Sequence, residues 1–175
     1  AKFKGSGDRQ LVAFVSDQAH YSYLKAAILL GIGIDNLVKV ESDIHGKMIP
    51  KELELAIKQS LSEGKSPFFV VATAGTTVLG AFDPLPLIAE VTKQYELWLH
   101  VDAAWGAPVL FSEKYSSVLA GSELVDSFTW DAHKLMGVPL ICSAILVKNQ
   151  GILAAACSGG GKDYLFHDDE GKMKL

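Results

Sequence analysis

Cysteine is scarce in this chain: two residues in 175, Cys142 and Cys157, with no C-x-x-C spacing and no companion histidine cluster. A disulfide framework and a zinc site are therefore not expected, no metal is assigned, and each thiol reads as a buried apolar residue. An excess of positive charge is also lacking, since 16 Lys and Arg stand against 20 Asp and Glu. That balance gives no electrostatic reason to bind nucleic acid or an anionic membrane surface. No stretch approaches the roughly 18 apolar residues of a membrane span, and the start, Ala1 to Gly7, lacks the apolar run of a signal peptide. The expectation is a cytoplasmic enzyme with no membrane partner. Glycine fingerprints for phosphates are incomplete: Gly31-Ile-Gly33 lacks its third glycine and follows a helical pattern, and Gly159 to Gly161 is not followed by Lys-Ser/Thr. Repeats and linkers are missing too, so residues 1–175 read as a single domain. The absent initiator methionine and the polar ending from Phe166 to Leu175 suggest a piece of a longer protein.

What is present is ordinary globular material, 49% apolar and 21% charged, enough for one core. Compact apolar runs alternate with segments of helical period, which predicts an α/β fold with a mainly parallel sheet. Strands are expected at Leu11 to Ser16, Leu37 to Val40, Phe68 to Thr73, Trp98 to Val101, Ser127 to Trp130 and Ile141 to Val147. Helices are expected at Tyr21 to Leu30, from Pro50 to a stop at Gly64 with Leu53, Ile57 and Leu61 inward, at Leu85 to Tyr95, and briefly at Gly151 to Ala156.

In open α/β sheets, ligands collect beyond the carboxyl ends of the strands. The groups expected there are His20, Thr76, Thr77, Asp102, His133 and Lys134. A strand-end lysine in a partly desolvated cleft can carry an aldehyde, and a strand-end aspartate followed by two alanines can pair with a protonated ring nitrogen while leaving room for a flat ring. Pyridoxal phosphate chemistry needs both groups. Taken singly, each has a plainer reading: an isolated His-Lys dipeptide is ordinarily surface, Asp102 could cap a turn, and His20 could be a capping or satisfied core histidine. Thr76 reads as satisfying turn backbone, and Asp83, just before a helix, as a local cap.

Five segments in order carry a resemblance: Ser16-Asp-Gln-Ala-His20, Ala72-Thr-Ala-Gly-Thr-Thr77, Gly80-Ala-Phe-Asp-Pro84, His100-Val-Asp-Ala-Ala-Trp-Gly106 and Thr129-Trp-Asp-Ala-His-Lys134. Together they resemble the motifs of the group II pyridoxal-phosphate amino-acid decarboxylases. Gly31-Ile-Gly-Ile-Asp35, Gly46-Lys-Met-Ile-Pro50, Val101-Asp-Ala-Ala-Trp105, Leu135-Met-Gly-Val-Pro139, Cys142-Ser-Ala-Ile-Leu146 and Tyr164-Leu-Phe166 are most similar to the glutamate and cysteine-sulfinate decarboxylase branch. The resemblance implies the aspartate-aminotransferase-like fold of type I pyridoxal-phosphate enzymes, here most of the large domain, and pyridoxal 5'-phosphate as cofactor. It also implies a homodimer with the site at the interface. The expected reaction is decarboxylation of a small, acidic L-amino acid such as glutamate, cysteine sulfinate or aspartate. Roles carried over by the resemblance make Lys134 the Schiff-base lysine, Asp102 the partner of the pyridine nitrogen and His20 the residue stacked on the ring. Ala104 would pack under the ring, Thr77 would hydrogen-bond near the cofactor, and His133 would contact its phosphate. The family usually has Asn-Pro before His-Lys, where this chain has Asp131-Ala132. Two other readings remain open: a different type I reaction, aminotransferase or lyase, on the same Lys and Asp, and a catalytically incomplete cofactor-binding fragment.

Overall fold

The computed structural model describes residues 6–157. The glycine run at 159–161 and the motif at 164–166 lie outside the described residues. Six strands form one sheet in the order β2-β1-β3-β4-β5-β6: β1 Leu11–Ser16, β2 Leu37–Val40, β3 Ser66–Thr73, β4 Trp98–Asp102, β5 Ser127–Asp131 and β6 Ser143–Val147. Pairings from β2 through β5 are parallel, and only the edge strand β6 runs antiparallel, on β5. Three helices make the crossovers among the first four strands: α1 Ser22–Leu29, α2 Pro50–Ser62 and α3 Leu85–Gln94. A fourth short helix, α4 Ile152–Cys157, follows β6.

Strand registers divide the sheet into two chemically different faces. Phe14 pairs with Val70 and Val70 with Leu99, while Ala72 pairs with Val101 and Val101 with Phe128. These residues are all buried, and they form one core with Leu53 and Ile57 of α2 and Leu85 and Ile88 of α3. The alternate residues point the other way: Thr73, Asp102 and Thr129 are in register across three strands, with His100 opposite Ser127 one step earlier. Side chains alternate along a strand, so a strand buried on one face presents the rest of its sequence to the other.

Three expectations need correction. In α2, Leu53 and Ile57 are fully buried but Leu61 is 48% exposed, and the small Ser60 takes the inward place. On a helix of about 3.6 residues per turn, a residue seven positions on stays over Leu53 while one eight positions on swings toward solvent; Ser60 satisfies its hydroxyl on the Ala56 carbonyl at 2.9 Å. Cys142 and Cys157 are exposed, not buried, because one lies on the loop entering β6 and the other ends α4 on the outside.

Asp83 is not a helix cap. The residue preceding α3 is Pro84, with no side-chain cap, and Asp83 is instead only 3% exposed. Its Oδ1 accepts the Met48 N–H at 2.6 Å and its Oδ2 accepts the Thr73 N–H at 2.7 Å, tying the loop before α2 to the end of β3. Burial pushes its carboxyl up to about 6, against the two N–H bonds that favour the charge, with Asp17 and Asp43 adding to the rise.

A carboxyl raised in this way holds its proton more tightly folded than unfolded. Its contribution to stability is therefore full below the ordinary value of 3.8 and is lost as pH rises through about 6. Denaturant unfolding of wild type and Asp83→Asn should show a wild-type margin that shrinks as pH is raised across that interval. A margin that widens with pH would contradict the assignment.

Candidate active site

The polar sheet face opens at the carboxyl ends of the strands into a cavity of about 910 Å³. The strand order reverses direction between β1 and β3, the switch point where open α/β sheets leave a crevice. His20 enters from the turn after β1, Thr77 from the turn after β3, Asp102 and Ala104 from the end of β4, and Lys134 from the turn after β5. Five of the six positions expected to meet a ligand thus line one cavity. The sixth, His133, is not among the lining residues, and its Nδ1 is engaged by the backbone of Cys142, 2.9 Å from the carbonyl oxygen and 3.2 Å from the N–H.

Each group is held by its local chain. Lys134 lies on a tight turn closed by its own N–H on the Asp131 carbonyl at 3.0 Å. Its Nζ pairs with Asp131 Oδ2 at 2.9 Å. The aspartate that replaces the usual asparagine is therefore in contact with the lysine itself. Burial alone would raise the Asp131 carboxyl; the Ser143 hydroxyl, then the hydrogen bond and charge of Lys134 and the charge of His133, hold it below its ordinary value. Asp102 accepts the Ala104 N–H on Oδ1 and the Tyr23 hydroxyl on Oδ2, both at 3.1 Å. His20 Nδ1 accepts the Ser22 N–H at 3.3 Å and lies 2.9 Å from the Ser22 hydroxyl, so its tautomer carries the proton on Nε2. Thr76 takes the expected plain role, accepting the Ala81 N–H at 3.0 Å.

Several lining residues were not singled out by the sequence. His100 is buried beneath the cavity, stacked on Phe69 at 6.0 Å, with Nδ1 2.8 Å from Ser127 Oγ and Nε2 3.2 Å from Thr129 Oγ1. Burial lowers its pKa while the Asp102 charge pulls the other way. Trp98 Nε1–H donates to the same Ser127 Oγ at 2.8 Å, so the serine bridges Trp98 and His100. In a neutral imidazole one ring nitrogen donates and the other accepts, so His100 gives a proton to one of these hydroxyls and takes one from the other. His100 could have been found, because it precedes Asp102 by two residues and must share its face.

The residues present fit pyridoxal phosphate. An amine and a carboxylate share the cavity, as do imidazole and threonine side chains. Thr73 Oγ1 is buried there with no hydrogen-bond partner. Gly75, at φ +88°, keeps the wall open, since a Cβ on it would come within 2.9 Å of the Trp105 ring. Gly106 lies so close to β3 that its Cβ would run into the Ala74 carbonyl and the Phe82 ring.

Comparison with known proteins agrees with this geometry. A family profile described as the pyridoxal-dependent decarboxylase conserved domain matches residues 4–174. The acidic amino acid decarboxylase GADL1 of Homo sapiens is 48% identical over 170 residues, covering 97% of this chain and 33% of that protein. The Mus musculus GADL1 is 49% identical over 170 residues, covering 97% of this chain and 31% of that protein. The chain thus spans about a third of the length of these curated relatives. Among solved structures, mouse CSAD in apo form superposes with a TM-score of 0.85 at 45% identity, covering 91% of this chain and 34% of that one. A Catharanthus roseus tryptophan decarboxylase in complex with L-tryptophan superposes at 0.82 with 30% identity, covering 87% of this chain and 33% of that one.

Gly106→Ala should lower stability by about 1–3 kcal/mol, the ordinary range for forcing a methyl group into a packed site. Thermal or urea unfolding measures it, and an unchanged midpoint would show that the turn after β4 can move away from Ala74.

Proposed function

The chain belongs to the pyridoxal-dependent decarboxylase family, and on that premise we propose that the complete protein removes the α-carboxylate of a small acidic L-amino acid, giving the amine and carbon dioxide. The observation that carries this reading is the placement of Lys134 and Asp102 in one cavity at the strand ends of a matching fold. The acidic substrate class rests on the relatives, two of which are acidic amino acid decarboxylases. Glutamate, cysteine sulfinate and aspartate are the members of that class to test.

Pyridoxal phosphate, when bound, supplies an aldehyde for an amino group and an electron-withdrawing ring that accepts the electron pair left by the departing carboxylate. Lys134 would hold the aldehyde carbon between turnovers and yield it to the substrate amine. Asp102 would accept the N–H of the protonated ring nitrogen. His20 would lie on one ring face with Ala104 on the other, Thr77 would hydrogen-bond nearby, and His133 would contact the phosphate. For that last role His133 must exchange its present contact with the Cys142 backbone for the ligand. Asp131 holds the Lys134 amine in place when no ligand competes for it.

This reading treats the chain as most of the large, cofactor-binding domain of a longer enzyme, consistent with its one-third coverage of the relatives. It extends to a homodimer with the site at the interface, a reading supported by the half-exposed Trp105 side chain on the cavity lining and the half-exposed Leu135 that follows Lys134. No helix among the described residues is long and apolar enough to cross a membrane.

The complete protein, given pyridoxal phosphate and each acidic amino acid labelled at its α-carboxylate, should release labelled carbon dioxide. Lys134→Ala should abolish the visible absorption of the bound cofactor and the release of labelled carbon dioxide, since the amine that holds the aldehyde is gone. Formation of a keto acid without carbon dioxide would replace decarboxylation with transamination.

A further inference from the structure

We propose that Tyr23 is a positioning residue for the cofactor-binding acid: its hydroxyl fixes one oxygen of Asp102 so that the carboxylate presents its remaining lone pairs to a ring N–H in the cavity. The inference rests on the cofactor reading above and assigns a role to a residue outside the motifs that led to it.

The geometry is that of a carboxylate held from two sides by unrelated parts of the chain. Oδ1 takes the Ala104 N–H at 3.1 Å, a local bond that bends the side chain over its own turn. Oδ2 takes the Tyr23 hydroxyl at 3.1 Å, from a helix 79 residues earlier in the chain. One bond leaves a carboxylate free to rotate about its terminal torsion, whereas two bonds on different oxygens set its plane. Each oxygen accepts about two hydrogen bonds, so the pair still has capacity for a donor arriving through the cavity. Tyr23 lines that cavity beside Asp102, and its ring is half-buried.

Tyr23 can only be a donor here. Burial, then the Asp102 charge and the hydrogen bond to it, push its phenol well above the usual range, so the proton stays on the tyrosine. A phenol that keeps its proton donates to Asp102 Oδ2 and accepts nothing from it, so its effect on the acid is to fix where that oxygen sits. No proton or electron changes hands at Tyr23; it acts wholly through Asp102. Other charged or titratable groups share the cavity: His100 on β4, Asp131 and Lys134 at the end of β5, and His20 ahead of α1. Tyr23 is the group that bonds Asp102 from across the cavity.

The same helix start carries His20, three residues before Tyr23, pinned to the first turn of α1 through Ser22. The group expected to lie on the ring and the group that bonds the acid are thus both anchored at the start of α1. Displacing α1 would disturb both contacts together.

A double-mutant cycle on the complete protein tests the proposal, with pyridoxal phosphate as the probe and its dissociation constant, read from visible absorbance and equilibrium dialysis, as the measure. Tyr23→Phe keeps the ring and removes the hydroxyl alone. In an otherwise wild-type background it should weaken cofactor binding roughly tenfold, the low end for losing a hydrogen bond to a charged group. In an Asp102→Ala background the same change should have no further effect. Equal losses in both backgrounds would show a packing role and overturn the proposal, as would wild-type affinity in Tyr23→Phe. A wild-type protein that binds no pyridoxal phosphate would instead remove the cofactor reading on which the proposal stands.

Discussion

The constraint on which the site depends is the parallel register that sets Thr73, Asp102 and Thr129 side by side at the ends of β3, β4 and β5. Parallel strands in register present the same face at the same level, so one alignment decides the direction of every side chain above and below it. Val70, Leu99 and Val101 must face the helices to bury their area, and this requirement forces His100 and Asp102 to the opposite side. A slip of one residue would send the acid into the apolar core. Hydrophobic burial on one face therefore places the chemistry on the other. Backbone bonds beyond the strands extend the alignment: Ala74 N–H on the Asp102 carbonyl at 2.8 Å and Ala103 N–H on the Thr129 carbonyl at 3.0 Å carry the ladder into the turns that bear the reactive groups.

Electrostatics within that frame is arranged by pairing, with few charges left alone. Lys134 has Asp131, Asp102 has two donors, and the buried His100 is kept from charging by desolvation while its nitrogens meet hydroxyls on either side. Asp83 is the counterexample, a buried carboxyl with no cation paired to it among the described residues, held by two backbone N–H groups and facing the charges of Asp17 and Asp43. It serves a mechanical end, joining the loop before α2 to the last residue of β3, two residues ahead of the glycine turn that walls the cavity. Burying a carboxyl for that purpose costs solvation, which is why its proton affinity rises.

Most elements could be read locally because local signals specify them. The apolar run Leu11–Ser16, the proline that opens α2 and the glycine at 64 that closes it each act over a few residues, and the structure follows them closely. Misreadings occurred where the deciding neighbour is distant in sequence. Ser60 displaced Leu61 from the core by a rotation too small to see in a list of apolar positions. Asp83 looked like a cap because it precedes a helix, while its true partners are Met48 and Thr73. The strand expected from Ile141 begins only at Ser143, and Ile141 is left 89% exposed.

By itself the sequence determined the order of strands and helices, the residue types able to do the chemistry, and the family, since periodicity, turn residues and ordered motifs are properties of contiguous segments. The tertiary structure alone decided which side of the sheet each residue faces, that His133 is engaged by the Cys142 backbone, and that Tyr23 reaches Asp102. Those facts depend on strand register and on the docking of α1 across the sheet. Both are fixed by burial summed over the whole core, and no spacing within one segment encodes them.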